Sequence, residues 1–193
     1  MGKNSKNVKS NKKRVFVAFD GSNFYHLLSS IQIRNTLEYD YMGIAKWLSG
    51  EHYLVKANYY VGVIRYDSRN PAKSKKMISA QQKIFSSLRK QKINLIKGYI
   101  LSYILKSGNS FHEKGVDVKI AVDMLVGAYE DKFDVLILIS SDTDLLPAIE
   151  KVIDLGKEVE YVGLRRRPSY GLINKVSKSR LLTNNDIEKF TKI

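Results

Sequence analysis

Apolar residues along the chain fall into short dense runs, separated by longer stretches in which they recur every three or four positions. The dense runs Val15 to Phe19, Leu54 to Ile64, Asn94 to Ile104, Val135 to Ile139 and Val159 to Leu164 predict β-strands. Helical spacing between them predicts helices at Tyr41 to Leu48, Lys73 to Lys90, Val118 to Tyr129 and Leu145 to Leu155. Strands alternating with helices predict an α/β fold, three-layered as α/β/α, with a mainly parallel, doubly wound sheet. The uninterrupted run VLILI predicts a strand buried on both faces. Pro168 to Ile193 is expected to add short helices closing one edge. Lys106 to Lys114 (KSGNSFHEK) reads as a polar connection that either gates a site or only joins elements.

Composition narrows the picture without changing it. With 193 residues, 44% hydrophobic and 27% charged, the chain suits one globular domain over residues 14–193. Residues 1–13 are polar and basic, with little to bury, and read as a flexible arm. The 33 Lys and Arg against 19 Asp and Glu give a formal +14, a field that favours polyanions such as nucleic acid. The first 14 residues carry six of those positive charges, so 27 basic residues still face 19 acidic ones beyond them. There is no Cys, which excludes disulfides, thiolate zinc sites and thiol nucleophiles. His26, His52 and His112 lack helical metal spacing, so zinc is disfavoured. No apolar run suits a signal peptide or a membrane span, so a cytoplasmic protein with no membrane partner is expected.

Two strands end directly in polar clusters: Asp20-Gly21-Ser22-Asn23 after the first, and Ser140-Ser141-Asp142-Thr143-Asp144 after VLILI. Open α/β sheets place ligands beyond the carboxyl ends of their strands, where strand order reverses. Asp20 alone also suits a turn, with Ser22 or Asn23 capping a following helix. Asp142 or Asp144 alone would suit a helix cap. Two carboxylates in one turn repel each other unless a cation lies between them, and oxygen ligands favour Mg²⁺ or Mn²⁺. A third cluster, KGVDVKIAVDML, supplies Asp117 beside a helix start and Asp123 in mid-helix. A spacing of six puts those two about 120° apart, so they are not expected to face one ion equally. A supporting or structural part suits Asp123 at least as well as ligation.

The motifs VFVAFDGSNF, KGVDVKIAVDML and VLILISSDTDLLPAIEKVIDLGKEVEYVGL together resemble the NYN domain family of PIN-like nucleases, over residues 14–164. The resemblance implies a PIN-like fold, a Mg²⁺- or Mn²⁺-dependent site and phosphodiester cleavage, usually of RNA, with an endonucleolytic mode expected. It carries the family's acidic site onto Asp20, Asp117, Asp142 and Asp144 as catalytic and metal-holding residues. Asn23, Asp123, Ser141 and Thr143 follow as supporting residues. Ser141 stands where many relatives have Gly, and Leu145 where an aromatic often follows the second Asp; neither change removes an acid.

RNA, single-stranded or structured, is the expected partner, and a homodimer is compatible with the sequence. Lys114 is a candidate for neutralising phosphate charge. Arg165, Arg166 and Arg167 follow a strand's carboxyl end and would lie on the acid side, although a solvated turn before Pro168 explains them equally well. Further basic residues cluster at Lys73, Lys75, Lys76 and Lys83 and at Arg89, Lys90 and Lys92. Of the 12 Tyr, Tyr59, Tyr60, Tyr99 and Tyr103 suit core positions, whereas Tyr25 and Tyr66 follow strand ends and could stack a base. A module that grips RNA without cutting it is the alternative. Aspartyl-phosphatase chemistry at Asp20 is less attractive, because Ser22 stands where such enzymes carry an acid.

Overall fold

The computed structural model describes the backbone of residues 12–64, 66–105 and 108–191, and the side chains of these residues except 99–114. Strands β1 (Arg14–Asp20), β2 (Tyr53–Val63), β3 (Asn94–Leu105), β4 (Gly108–Lys114), β5 (Val135–Ile139), β6 (Glu158–Leu164) and β7 (Lys178–Leu182) form one sheet, ordered β4-β3-β2-β1-β5-β6-β7. Six run parallel, and β4 pairs antiparallel with β3 at one edge. The connections from β1 build outward to β2 and β3. The chain then crosses to β5 and builds the other way, so the strand order reverses between β1 and β5.

The layers follow from alternation along the central strands. Val15, Val17 and Phe19 of β1, with Val135, Ile137 and Ile139 of β5, bury on one face. Helices α1 (Gly21–Ser30), α2 (Tyr41–Ser49) and α3 (Pro71–Lys90) and the short α7 (Asn184–Glu188) cover that face through Phe24, Tyr41, Leu88 and Ile187. Phe16, Ala18, Leu136 and Leu138 bury on the other, beneath α4 (Val116–Tyr129), α5 (Leu146–Asp154) and the single-turn α6 (Tyr170–Ile173). The three-layer, doubly wound arrangement expected from the pattern is therefore observed.

All five expected strands are present, with boundaries moved by no more than two residues. Three elements correct the sequence reading. The connection expected at Lys106 to Lys114 is mostly β4, whose pairing from Tyr99↔Lys114 to Leu105↔Gly108 is made by backbone groups that leave no apolar periodicity. The C-terminal segment contributes β7 beside its short helices, paired to β6 from Glu160↔Lys178 to Leu164↔Leu182. Helix α1 begins immediately after β1, and Asp20 itself is its N-cap, rather than Ser22 or Asn23. Residues 1–11 of the predicted arm lie outside the described residues, whereas the Lys13 carbonyl already accepts from the Tyr53 N–H at 2.9 Å.

Ion pairs collect at the amino ends of the strands. Arg14 donates to Asp134 through its backbone N–H (2.7 Å), Nε (3.1 Å) and a terminal nitrogen (2.7 Å), and to Asp131 at 2.9 Å. Lys157 also pairs with Asp131. The Arg14 hydrogen bonds hold the Asp134 carboxyl down to about 2, below its ordinary value of about 3.9. The stability from this pair is thus complete above about pH 4 and is lost as pH falls towards 2. In Asp134→Asn, thermal unfolding followed by circular dichroism should give a lower Tm at neutral pH and a flatter decline between pH 4 and 2. An unchanged acid slope would dismiss this coupling.

Candidate active site

The carboxyl ends of β1 and β5 meet where the strand order reverses, and both end in the polar residues singled out in the sequence. Asp20, the last residue of β1, is 2% exposed. Burial of a carboxylate is unfavourable unless donors replace water, and three do so. The Asn23 N–H donates to Oδ1 at 3.1 Å; the Asn23 side-chain amide and the Ser140 hydroxyl donate to Oδ2 at 2.6 and 2.8 Å. Glycine at position 21 lets α1 start this close to β2. A Cβ there would lie 2.4 Å from the Tyr60 carbonyl oxygen and 2.6 Å from the Tyr59 ring.

The β5 end continues the network. The Ser140 hydroxyl also accepts from the Asp142 N–H at 3.1 Å, linking the two acidic turns through one oxygen. The Ser141 N–H, at 3.3 Å, and its hydroxyl both donate to the Asn23 side-chain carbonyl. Asp142 caps the 3₁₀ turn Thr143–Leu145 by accepting from the Asp144 N–H at 2.9 Å. Thr143 is exposed, and Leu145 is buried in the core.

Asp117 occupies the first turn of α4. Partial desolvation raises its carboxyl above the ordinary value, and the negative charges of Asp142, Asp20 and Asp144 push the same way in that order. Charges from two other segments of the chain thus bear on Asp117. Among the described residues none of the four forms a salt bridge, whereas Asp67, Asp123, Asp131, Asp134, Asp186 and Glu160 all do. Also among the described residues, no three His, Asp or Glu side chains form a ready-made cage for a cation.

A family model, the NYN domain, matches residues 14–182. The chain belongs to the NYN domain family. That family is generally nuclease-like and RNA-related, and NYN/PIN-like nucleases generally use divalent metals. Comparison with curated proteins returns no match. The crystal structure of a protein of unknown function from Vibrio parahaemolyticus RIMD 2210633 is similar, with a TM-score of 0.65 and 21% identity over 92% of this chain and 97% of that one. The likeness bears on the fold alone.

Within this NYN domain, the remaining candidates part company. Asp123 stands apart from the acids: its carboxylate accepts from the Tyr60 hydroxyl at 2.7 Å and the Asn58 amide at 3.1 Å, with Lys56 Nζ at 3.9 Å. Burial pushes the Tyr60 phenol well above its usual range, keeping it a donor to Asp123. Arg165, Arg166 and Arg167 follow β6 on the acid side and are exposed. The Lys114 side chain lies outside the described residues, as do those of Tyr99 and Tyr103. Lys73, Lys75, Lys76 and Lys83 are exposed on α3, and Arg89, Lys90 and Lys92 fall at its far end, by the amino ends of the strands. Tyr59 and Tyr60 are core residues, whereas Tyr25 and Tyr66 are 51% and 55% exposed. No helix among the described residues is long and apolar enough to cross a membrane.

Sequence reading missed His26 and Leu27, which line a cleft beside this network. Their signal was available: Asn23, His26, Leu27 and Ser30 follow the i, i+3, i+4, i+7 spacing of one helix face. Ser140 supplies the nearest test of the network itself. In Ser140→Ala, Asp20 loses a donor and the Asp142 N–H its acceptor, so chemical denaturation should report a loss of about 1–3 kcal/mol. Unchanged stability would mean that the two turns are held independently.

Proposed function

We propose that this chain is a divalent-metal-dependent ribonuclease that hydrolyses RNA phosphodiester bonds, as an endonuclease, with Asp20, Asp117, Asp142 and Asp144 as its acidic centre. The observation that carries the reading is the meeting of the Asp20 and Asp142 turns at the strand-order reversal, joined through Ser140 and Asn23, close enough to Asp117 for their charges to bear on it. In a chain of net +14, four acids without an ion-pair partner among the described residues favour an exogenous cation.

The donor set fits Mg²⁺ or Mn²⁺, being all carboxylate oxygen in a chain without Cys. Among the described residues no three such side chains form a ready-made cage, and Mg²⁺ commonly keeps several waters and substrate phosphate oxygens in its shell. The chemistry such a cation supplies when bound is Lewis acidity at a phosphoryl oxygen and a more acidic attacking water. Asp142, Asp117 and Asp144 would hold it from the solvent side. Asp20, whose oxygens already accept from Asn23 and Ser140, would hold it from within and fix the two turns. Arg167 and Lys114 would meet the phosphate backbone, and Asn23, Ser141 and Thr143 would support the acids.

One observation favours the non-catalytic alternative: Asp20 and Asp142 each perform a capping task that needs no metal. A cleavage assay separates the two readings, using single-stranded and structured RNA, with DNA for comparison, in Mg²⁺, Mn²⁺ or EDTA. Cleavage should require the metal. Asp142→Asn and Asp20→Asn should lose more than the roughly 10–100-fold typical of removing residues that only orient ligands. Asp123→Asn, outside the acid cluster, should lower stability and retain cleavage. Wild-type protein that binds RNA and never cuts it under either metal would sink the enzyme reading.

A further inference from the structure

A cleft of about 190 Å³ opens between α1 and the carboxyl ends of β5 and β6. Its floor combines apolar Ile139 and Val162, each 2% exposed, and Leu164, 8% exposed, with the buried Tyr161 and Ser140, whose hydroxyls are engaged with the Ser169 N–H and with Asp20. Its rim is polar, with the exposed His26 and Ser30 on α1 and Arg167 beyond β6. It also shares Asn23, Ser140 and Ser141 with the network around Asp20, so it adjoins the acids. The proposed chemistry leaves this cavity unused.

Its walls are fixed rather than incidental. Phe24 and Leu28 point into the core, and Phe24 packs edge-on against Phe19 at 5.2 Å between ring centroids, which sets the rotation of α1 and turns Asn23, His26, Leu27 and Ser30 to the cleft. Opposite, the Tyr161 hydroxyl passes over Gly163 to accept from the Ser169 N–H at 3.0 Å. A Cβ on residue 163 would lie 2.0 Å from that hydroxyl, so glycine is what lets the bond form. The Arg167 N–H donates to the Leu164 carbonyl at 3.1 Å. These bonds present Arg167 to the cleft, and neither Arg165 nor Arg166 lines it.

We propose that the cleft receives the base of one nucleotide adjoining the scissile phosphate, with His26 meeting the base and Arg167 holding its phosphate. The inference rests on the ribonuclease reading for the words adjoining and scissile. The volume lies below the roughly 300–1,000 Å³ of pockets for drug-sized ligands, which limits the occupant to one ring system. A largely apolar floor whose hydroxyls are already hydrogen-bonded, with the cationic group only at the rim, suits a flat neutral ring, and the His26 imidazole, with the Tyr25 ring 5.8 Å away, offers π surface. The acids next door disfavour an anionic occupant, while Arg167 favours an anion at the rim alone. A nucleotide presents that combination, a neutral ring carrying a phosphate. A base can enter only if unpaired, so the nucleotide concerned must be unpaired and splayed from its neighbours.

The test uses the full-length protein and short single-stranded RNAs in EDTA, so that binding is read without cleavage. 4-Thiouridine is placed at each position in turn and photo-crosslinked peptides are mapped; separately, each base is removed in turn and affinity is read by fluorescence anisotropy. One position should crosslink to the α1 segment that contains Tyr25 and His26, and an abasic site there should weaken binding roughly tenfold. Ser30→Trp, at an exposed helical position, should fill the cleft and weaken binding of intact RNA by a similar factor, with no further loss on the abasic RNA. Additive losses, or crosslinks confined to other segments, would overturn the subsite. Crosslinks to α1 in a protein that never cleaves under Mg²⁺ or Mn²⁺ would uphold the base-binding cleft and discard the nuclease, whereas metal-dependent cleavage without them would do the reverse.

Discussion

A carboxylate withdrawn from water at the end of a buried strand is tolerated only when donors replace its hydration shell, and the donors around Asp20 come from two directions. Asn23 reaches back one turn along α1, and Ser140 reaches across from β5. That convergence joins the first half of the sheet to the second at its central seam, where β1 pairs with β5 from Val15↔Val135 to Phe19↔Ile139. The entry of α1, the placement of the Asp142 turn and the wall of the neighbouring cleft all depend on it. Any change that removes one of these donors leaves a buried carboxylate less well satisfied at the end of the central strand.

The two rims of that sheet treat charge in opposite ways. At the amino ends, Arg14 and Lys157 neutralise Asp134 and Asp131 in a network that binds β1 to the turn before β5. At the carboxyl ends, the charges of Asp20, Asp142 and Asp144 bear on Asp117, and none of the four has an ion-pair partner among the described residues. Cations are plentiful in this chain, so the pairing of one rim and the exposure of the other is a placement of charge and not a shortage of it. The paired rim contributes stability, most directly through the Arg14–Asp134 pair.

Much of this was legible because the informative strands are short, apolar and abruptly ended. VFVAF followed by Asp20, and VLILI followed by two Ser and two Asp, mark both the buried strands and the rim at which they stop. What escaped notice depended on contacts that leave no periodic trace. GNSFHEK forms β4 through backbone pairing with β3, and KSRLL forms β7 beside β6, although neither segment alternates between apolar and polar residues. Within Arg165 to Arg167 the sequence offers three equal candidates. Only the folded turn, set by Tyr161, Gly163 and Leu164, separates Arg167 from its neighbours. Asp123 was left between supporting and ligating parts by its helical angle, and Tyr60 and Asn58 place it in a polar contact within the α4 layer.

Ser140 and Ser141 show how adjacent residues of one type divide a task. The first hydroxyl meets Asp20 and the Asp142 N–H, while the second meets the Asn23 carbonyl. Asn23 is thereby held at both ends of its amide, with its nitrogen on Asp20 and its oxygen on Ser141. A fixed amide has a fixed orientation, and this one forms part of the cleft wall as well as part of the support for Asp20. Ser141 is in this way a hydrogen-bond donor to that wall. Asn23 thus couples the wall of the cleft to the support of Asp20.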